Sequence, residues 1–379
     1  MSARHVPIRL GMVGGGAGAM IGNVHRIAAR LDGQFALLAG ALSSDAARAQ
    51  ASADAAGIAR SYADYAEMAV AEAARPDGIE AVAICTPNHL HFPVARAFLE
   101  AGIHVICDKP MTATLEEAHA LARIAEAGDA LFVLTHNYSA YPMIREARAL
   151  IARGDLGAIR LVQVEYAQDW LTEDSGSKQA EWRGDPARAG AGGAIGDIGT
   201  HAFQLARFVT GMRPSHLAAD LSSFVPGRRL DDNAHVLLRY EGGAKGMLWA
   251  SQVAPGGENG LRLRVFGAKG GIEWHHETPE TLWFTPFGQP ARKLRRGGPG
   301  TLTGDAGSRV PAGHPEGYLE GFANLYAEAA RAIRARQAGR PLPEDLCLPG
   351  IADGVEGLSF IDACIRSNAA GTAFVEVMA

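Results

Sequence analysis

Asp197 and His201 stand four residues apart in Gly192-Gly193-Ala194-Ile195-Gly196-Asp197-Ile198-Gly199-Thr200-His201, where a glycine-rich turn runs into a helix. That spacing puts a carboxylate and an imidazole on one helix face, one turn apart. A carboxylate beside an imidazole orients the ring and supports its protonated form, the requirement for moving a proton on and off a reacting group. The plain alternative, an aspartate near a helix start and a partly buried histidine, stays open on these residues alone. Lys109, in Asp108-Lys109-Pro110, ends an apolar run that reads as a strand. At the C-terminal end of a parallel strand it faces the ligand crevice, where an amine can take up and return a proton; a lone lysine is otherwise a solvated surface charge. A third segment, Thr86-Pro87-Asn88-His89-Leu90-His91, also follows a strand. Pro87 fixes its turn, Asn88 can bond backbone or ligand, and His91 opens the next helix, although turn-and-cap chemistry accounts for these types equally well. The fourth is Gly14-Gly15-Gly16-Ala17-Gly18-Ala19-Met20-Ile21-Gly22, between a strand and a helix. Glycines there let the backbone approach a pyrophosphate, and the helix start supplies amide donors, so the segment reads as a dinucleotide loop.

These four segments need a scaffold that brings strand ends together. Up to about residue 140, short apolar runs alternate with Ala- and Arg-rich helical stretches. Ile8–Val13, Phe35–Ser43, Ile79–Thr86, His104–Asp108 and Leu131–His136 read as strands, and Gly22–Leu31, Ala46–Ala56, Ala63–Ala74, Pro93–Ala101 and Leu115–Ala127 as helices. A crossover helix after nearly every strand predicts a doubly wound parallel sheet of Rossmann type. After Tyr138 the rhythm changes: a helix at Pro142–Arg153, then strands at Ile159–Gln168, Ala234–Tyr240, Gly246–Gln252, Leu261–Phe266 and Gly271–Trp274. Turns at Glu241-Gly242-Gly243 and Gly267-Ala268-Lys269-Gly270 predict antiparallel hairpins. Helices at Gly317–Arg336 and Gly350–Ser367 close the chain, and Gly288–Gly313, rich in Gly, Pro and Arg, reads as a mobile loop. The expected division is a dinucleotide-binding domain at 1–138 and an α+β domain with a large, mostly antiparallel open sheet at 139–379.

The 379 residues suffice for two domains with cores of their own. Hydrophobic residues at 47% and charged residues at 20% describe a globular chain rather than a disordered one. The net charge of −5, with both signs interleaved, leaves no basic stripe for a nucleic-acid backbone. Apolar runs are too short to cross a bilayer, and no signal core precedes the first strand. Cys85, Cys107, Cys347 and Cys364 form no CxxC pair and read as free thiols in a reducing compartment, so the expected location is the cytoplasm. No third ligand accompanies His89 and His91, so no metal is expected. At the tip of the second strand Ser43 and Ser44 are neutral, Asp45 lies slightly late and Arg48 one helical turn in. An acidic residue there marks NAD, so the reading leans to NAD with NADP left open.

Together the four segments resemble the glucose–fructose oxidoreductase/inositol dehydrogenase family, the Gfo/Idh/MocA oxidoreductases, over nearly the whole chain. The resemblance implies that Lys109, Asp197 and His201 are the catalytic trio. It implies a cofactor site at Gly14, Gly16, Ala17, Met20, Ile21, Ser43, Ser44, Thr86, Pro87, Asn88, His91, Asp108 and Lys109. Three departures stand out. Gly22-Asn23-Val24-His25 fits the end of the family's G-x-G-x-x-G loop, but three extra residues separate it from Gly14 and Gly16. Asp108 replaces the family's glutamate before the lysine, and Asn137-Tyr138-Ser139 lacks its arginine. Position in the chain makes Tyr138, Gln168, Trp170, Trp182 and Arg183 substrate contacts with Asp197 and His201; Tyr141, Asp169, His314 and Tyr318 are further candidates. Trp170 offers a platform for a sugar face and Gln168, Asp169 and Arg183 can bond hydroxyls. Tyr166-Ala167-Gln168-Asp169-Trp170 is similar to levoglucosan-type sugar dehydrogenases of the family. The implied activity is an NAD(P)-dependent alcohol–ketone interconversion on a sugar or cyclic polyol, in a homodimer or homotetramer; the alternatives are a cofactor- and sugar-sensing protein or an NAD-dependent redox glycosidase.

Overall fold

Short, wholly apolar strands such as Ala81–Cys85 (AVAIC), buried at every position, require cover on both faces, and the helices between them provide it. In the computed structural model, which describes residues 6–173 and 182–378, β1 (Ile8–Gly14), β2 (Phe35–Ala41), β3 (Arg60–Ser61), β4 (Ala81–Cys85), β5 (His104–Cys107) and β6 (Phe132–Leu134) form a parallel sheet in the order β3-β2-β1-β4-β5-β6. The connecting helices are α1 (Met20–Leu31), α2 (Ala46–Ala56), α3 (Tyr65–Ala73), α4 (His91–Glu100) and α5 (Leu115–Ala127). Side-chain caps start three of them: Asp45 on α2, Asp64 on α3, and a Thr114–Glu117 capping box on α5. This is the expected Rossmann sheet.

The second sheet comprises β7 (Ile159–Ala167), β8 (Pro214–Ser222), β9 (Asn233–Tyr240), β10 (Lys245–Ser251), β11 (Gly260–Gly267), β12 (Gly270–His275), β13 (Thr281–Pro286), β14 (Arg292–Arg295) and β15 (Val375–Glu376). Their order is β14-β13-β12-β11-β7-β10-β9-β8-β15, antiparallel except for β7 beside β10. Alternation is plain in β9, where Val236, Leu238 and Tyr240 are buried and His235, Leu237 and Arg239 are exposed. Helices α6 (Pro142–Arg153) and α7 (Thr200–Thr210) pack on each other, and α7 packs on β7, β10 and β11.

By its contacts the chain divides into two compact units, residues up to Asn137 with Tyr318–Val355, and Tyr138–Gly317 with Glu356 onward. Helix α8 (Tyr318–Gln337), expected within 139–379, falls by its contacts in the first unit. Its Phe322, Ala323, Tyr326, Ala329, Ala330 and Ile333 enter the core that holds Ile8, Leu10 and Met12 of β1. His25 of α1 meets Phe322 and Tyr326 edge-on, with ring centroids 5.1 and 5.9 Å away, and its Nδ1 lies 2.8 Å from the Tyr326 hydroxyl. The last helix is α9 (Ile351–Ala369). The expected loop at Gly288–Gly313 contains β14, and buried Glu146 anchors it by accepting from Leu302 N, Thr303 N and the Thr303 hydroxyl. Among the described residues no helix is long and apolar enough to cross a membrane.

Candidate active site

In the first unit the glycine loop between β1 and α1 is shaped by close backbone approaches. A Cβ added at Gly22 would lie 2.4 Å from Gly15 Cα, one at Gly14 would lie 2.7 Å from Cys85 O, and one at Gly16 would lie 2.7 Å from Leu42 O. The three extra residues therefore lengthen the loop without removing the contact of α1 against the sheet: Gly22 is the closely packed glycine. The α1 start has no side-chain cap and no acidic residue in its first turn, leaving its amides to a ligand. Thr86 Oγ1, after β4, is buried with no hydrogen-bond partner. A glycine cradle, an uncapped helix start and an orphaned hydroxyl on the adjoining strand end fit a dinucleotide. Gly22→Ala should destabilise the protein by about 1–3 kcal/mol through overpacking and weaken NAD binding at least ~10-fold, as read by thermal unfolding and calorimetric titration.

At the tip of β2 the sequence left the ribose partner open. Asp45 caps α2, accepting from Arg48 N at 2.8 Å, and its own amide donates to Ser43 Oγ at 3.2 Å. The carboxylate is thus engaged with its own helix.

Lys109 and Asp108 follow β5, both half-buried. Asp108 Oδ1 accepts from Lys109 N (2.9 Å) and from the Thr135 hydroxyl (3.1 Å), so the carboxylate ties the lysine's backbone to the end of β6. His91, at the start of α4, is 1% exposed. Its Nδ1 lies 2.6 Å from Pro110 O and its Nε2 2.9 Å from Thr86 O, so the ring spans the ends of β4 and β5. That places His91 behind the two loops, holding the Lys109 segment against Thr86-Pro87-Asn88. His136, also buried, has its pKa pushed down to about 3 by desolvation and by the Lys109 charge, and is neutral at working pH.

The second unit gathers the remaining candidates. Ile195–Gly199 is a single π-helical turn that runs directly into α7, and it carries Asp197, with His201 in the following turn. Asp197 Oδ2 accepts from Arg183 Nε (3.1 Å) and Gln252 Nε2 (2.9 Å). The Arg183 guanidinium lies over Trp182 (4.4 Å) and Trp170 (5.7 Å), so these side chains form one cluster with Asp197. His201 is 9% exposed, and Tyr138 and Tyr166 meet it at 5.0 and 6.2 Å between ring centroids.

Around these aromatics runs a chain of hydrogen bonds. Tyr166 OH donates to Asn259 Oδ1 (2.7 Å), so the 2.6 Å contact between the Tyr138 and Tyr166 hydroxyls has Tyr138 as donor. Gln168 Nε2 also donates to Asn259 Oδ1 (2.8 Å), and Trp170 Nε1 donates to Gln168 Oε1 (3.0 Å). Asn259 Nδ2 donates to His276 Nδ1 (3.0 Å), which assigns the proton of neutral His276 to Nε2, 3.2 Å from the Tyr141 hydroxyl. Burial lowers the His276 pKa and raises that of Tyr138. Of the expected substrate contacts, Tyr138, Gln168, Trp170, Trp182, Arg183, Asp197 and His201 all fall in this one unit, with Tyr141. Asp169 instead accepts from Gly256 N, His314 is exposed, and Tyr318 lies in the first unit edge-on to Phe322. Gln252, Asn259 and His276 were missed. Each sits at or beyond a strand end, and only the sheet register, with Gly260 opposite Ala167 and Ser251 opposite Ala167, brings them to Gln168.

Residues 8–138 match the family model "Oxidoreductase family, NAD-binding Rossmann fold", and residues 144–273 match the GFO/IDH/MocA C-terminal domain. A solved oxidoreductase from Sinorhizobium meliloti is 54% identical, covering 98% of this chain and 100% of its own, with a TM-score of 0.90. An inositol dehydrogenase homolog from Azotobacter vinelandii, solved with NADH and myo-inositol, is 40% identical over 98% of this chain and 97% of its own, with a TM-score of 0.93. The levoglucosan dehydrogenase of Pseudarthrobacter phenanthrenivorans is 30% identical over 80% of each chain. With a dinucleotide cradle in one unit and this matching second sheet in the other, the chain belongs to the Gfo/Idh/MocA family and is an NAD-binding oxidoreductase.

Proposed function

We propose that the protein oxidises a secondary alcohol on a ring carbon of a cyclic polyol or pyranose sugar to the ketone, and runs the reverse reduction with the same residues. The observation that supports this most is the hydrogen-bonded lining beside His201. Phenols, carboxamides and an imidazole can each exchange a partner for a ring hydroxyl, as donor or acceptor, and the aromatic rings offer apolar faces to the carbon skeleton. Relatives that bind myo-inositol or levoglucosan favour the same class of substrate.

Bound NAD supplies the acceptor for the hydride of the carbinol carbon. Lys109 Nζ stabilises the alkoxide that develops as the substrate hydroxyl is deprotonated, and Lys109 or His201 takes that proton. Asp197, fixed by Arg183 and Gln252, holds the arrangement one turn from His201. Tyr138, Gln168, Trp170, Trp182 and Arg183 orient the ring. The loop glycines with Ala17, Met20 and Ile21, the β2-tip serines 43 and 44, Thr86-Pro87-Asn88 and the Asp108–Lys109 segment hold the cofactor, with His91 steadying two of these loops. The four cysteines are free thiols, which accords with a cytoplasmic enzyme.

The test follows reduced-nicotinamide absorbance with purified protein, NAD or NADP, and a panel of inositols, pyranoses and acyclic polyols. A rise with a cyclic member and none with its acyclic counterpart is expected. A flat trace throughout, or preference for acyclic polyols, removes the proposal.

A further inference from the structure

Asp197 and His201 depend on a local conformation that is rare and needs outside support, a lone π-helical turn. The residue before it, Ala194, supplies no side-chain cap. The amides that open the turn go instead to a segment far along the chain. Gly193 N donates to Asp231 Oδ1 (2.6 Å), Ile195 N to Asp231 Oδ2 (2.8 Å), and Ala194 N to the Asp231 carbonyl (2.8 Å). A Cβ at Gly193 would lie 2.0 Å from Asp231 O, so the contact is backbone against backbone. The next residue completes the grip. The Asp232 carbonyl accepts from Gln252 N (2.9 Å), and the Gln252 side chain donates to Asp197.

We propose that Asp231 is a positioning residue of the active site: its carboxylate bridges the Gly193 and Ile195 amides and thereby sets where Asp197 and His201 stand. The inference rests on the catalytic assignment of Asp197 and His201 made above.

The anchor works only as a carboxylate. A protonated carboxyl turns one acceptor into a donor and sets it against a backbone N–H. Desolvation raises the Asp231 pKa to about 6, and Asp232 adds like-charge repulsion, outweighing the two amides. Arg228 is paired with Asp232, and the neighbouring Cys364 of α9 is a buried thiol whose pKa is raised by burial and by the Asp231 field. Because the folded pKa lies above the unfolded value of about 3.9, the stability linked to Asp231 is full below that pH and is lost as pH rises through about 6. Ionisation of Asp231 thus costs stability across the range in which it lets the carboxylate accept both amides.

Asp231→Asn tests this, since its amide presents an N–H to one of the two donors. The expected result is kcat down about 10²-fold at pH 7.5 with NAD affinity unchanged, loss of the acid limb near pH 6 from the kcat profile, and at least ~10-fold faster deuterium exchange over 193–205. Wild-type kcat and wild-type exchange would overturn the proposal. If Asp231→Asn does not fold, Asp231→Glu, which keeps the charge one methylene further out, is expected to retain the acid limb with reduced kcat; full kcat in it overturns the proposal equally. His201→Asn run in parallel separates the two claims. Full turnover in that variant removes the catalytic assignment, while the exchange measurement still decides whether Asp231 holds the turn.

Discussion

Lys109→Ala is expected to lower kcat by about 10²–10⁴-fold while the dissociation constant for NAD stays within ~3-fold, because in the proposed mechanism the backbone of the Asp108–Lys109 segment holds the dinucleotide and the ammonium acts on the reacting hydroxyl. His136, His91 and Asp108, the neighbours described above, are each unsuited to replace it. His136, whose pKa is pushed down to about 3, is a neutral imidazole. His91 is committed to the Pro110 and Thr86 carbonyls. Asp108 keeps its oxygen on the Lys109 amide and the Thr135 hydroxyl, so the backbone should stay in place when the ammonium is removed. Single-turnover absorbance with a cyclic polyol, beside fluorescence titration of NAD, separates the chemical step from binding. Full turnover with normal affinity would show that the lysine is a bystander.

Asp197→Asn is the second large effect, about 10²-fold on kcat. Arg183 and Gln252 donate to the same carboxylate oxygen, so the amide oxygen can keep both partners while the negative charge is removed. The proposed role of Asp197 beside His201 rests on that charge, one helical turn away. Residues that act as a unit are strongly non-additive, so Asp197→Asn combined with His201→Asn should be little slower than the slower single variant. A double variant whose losses multiply in full would mean that the two residues act independently.

Elements with strong local signals were legible in the sequence, and those decided by tertiary pairing were not. β1, β2, β4 and β5 are apolar runs flanked by turn residues, and both the strand–glycine–helix loop and the i, i+4 pair of Asp197 and His201 are local patterns. β8 (PSHLAADLS) lacks the β-branched and aromatic bias of a strand and is extended because β9 pairs along it. β3 and β15 are two residues each and exist through their neighbours. β13 (TLWFTP) did carry a readable alternation, with Leu282 and Phe284 buried and Trp283 exposed. Helix α8 read correctly as a helix, but its membership of the first unit follows from Phe322 and Tyr326 meeting His25, about 300 residues earlier, which no local pattern encodes. The same holds for the site. Tyr138, Gln168, Trp170 and Arg183 lie near the motifs in sequence, whereas Asn259 reaches the cluster through the β7–β11 register and His276 through the β11–β12 pairing. Asp231, with no motif of its own, is visible only as the partner of two amides.

The most direct measurement uses a cyclic polyol carrying deuterium on the carbinol carbon, with mass analysis of the nicotinamide product. One deuterium in the reduced cofactor, one equivalent of ring ketone and a primary isotope effect on the chemical step are expected. Ketone formed without deuterium in the cofactor, or free sugar released with no net reduced cofactor, would contradict the proposed reaction.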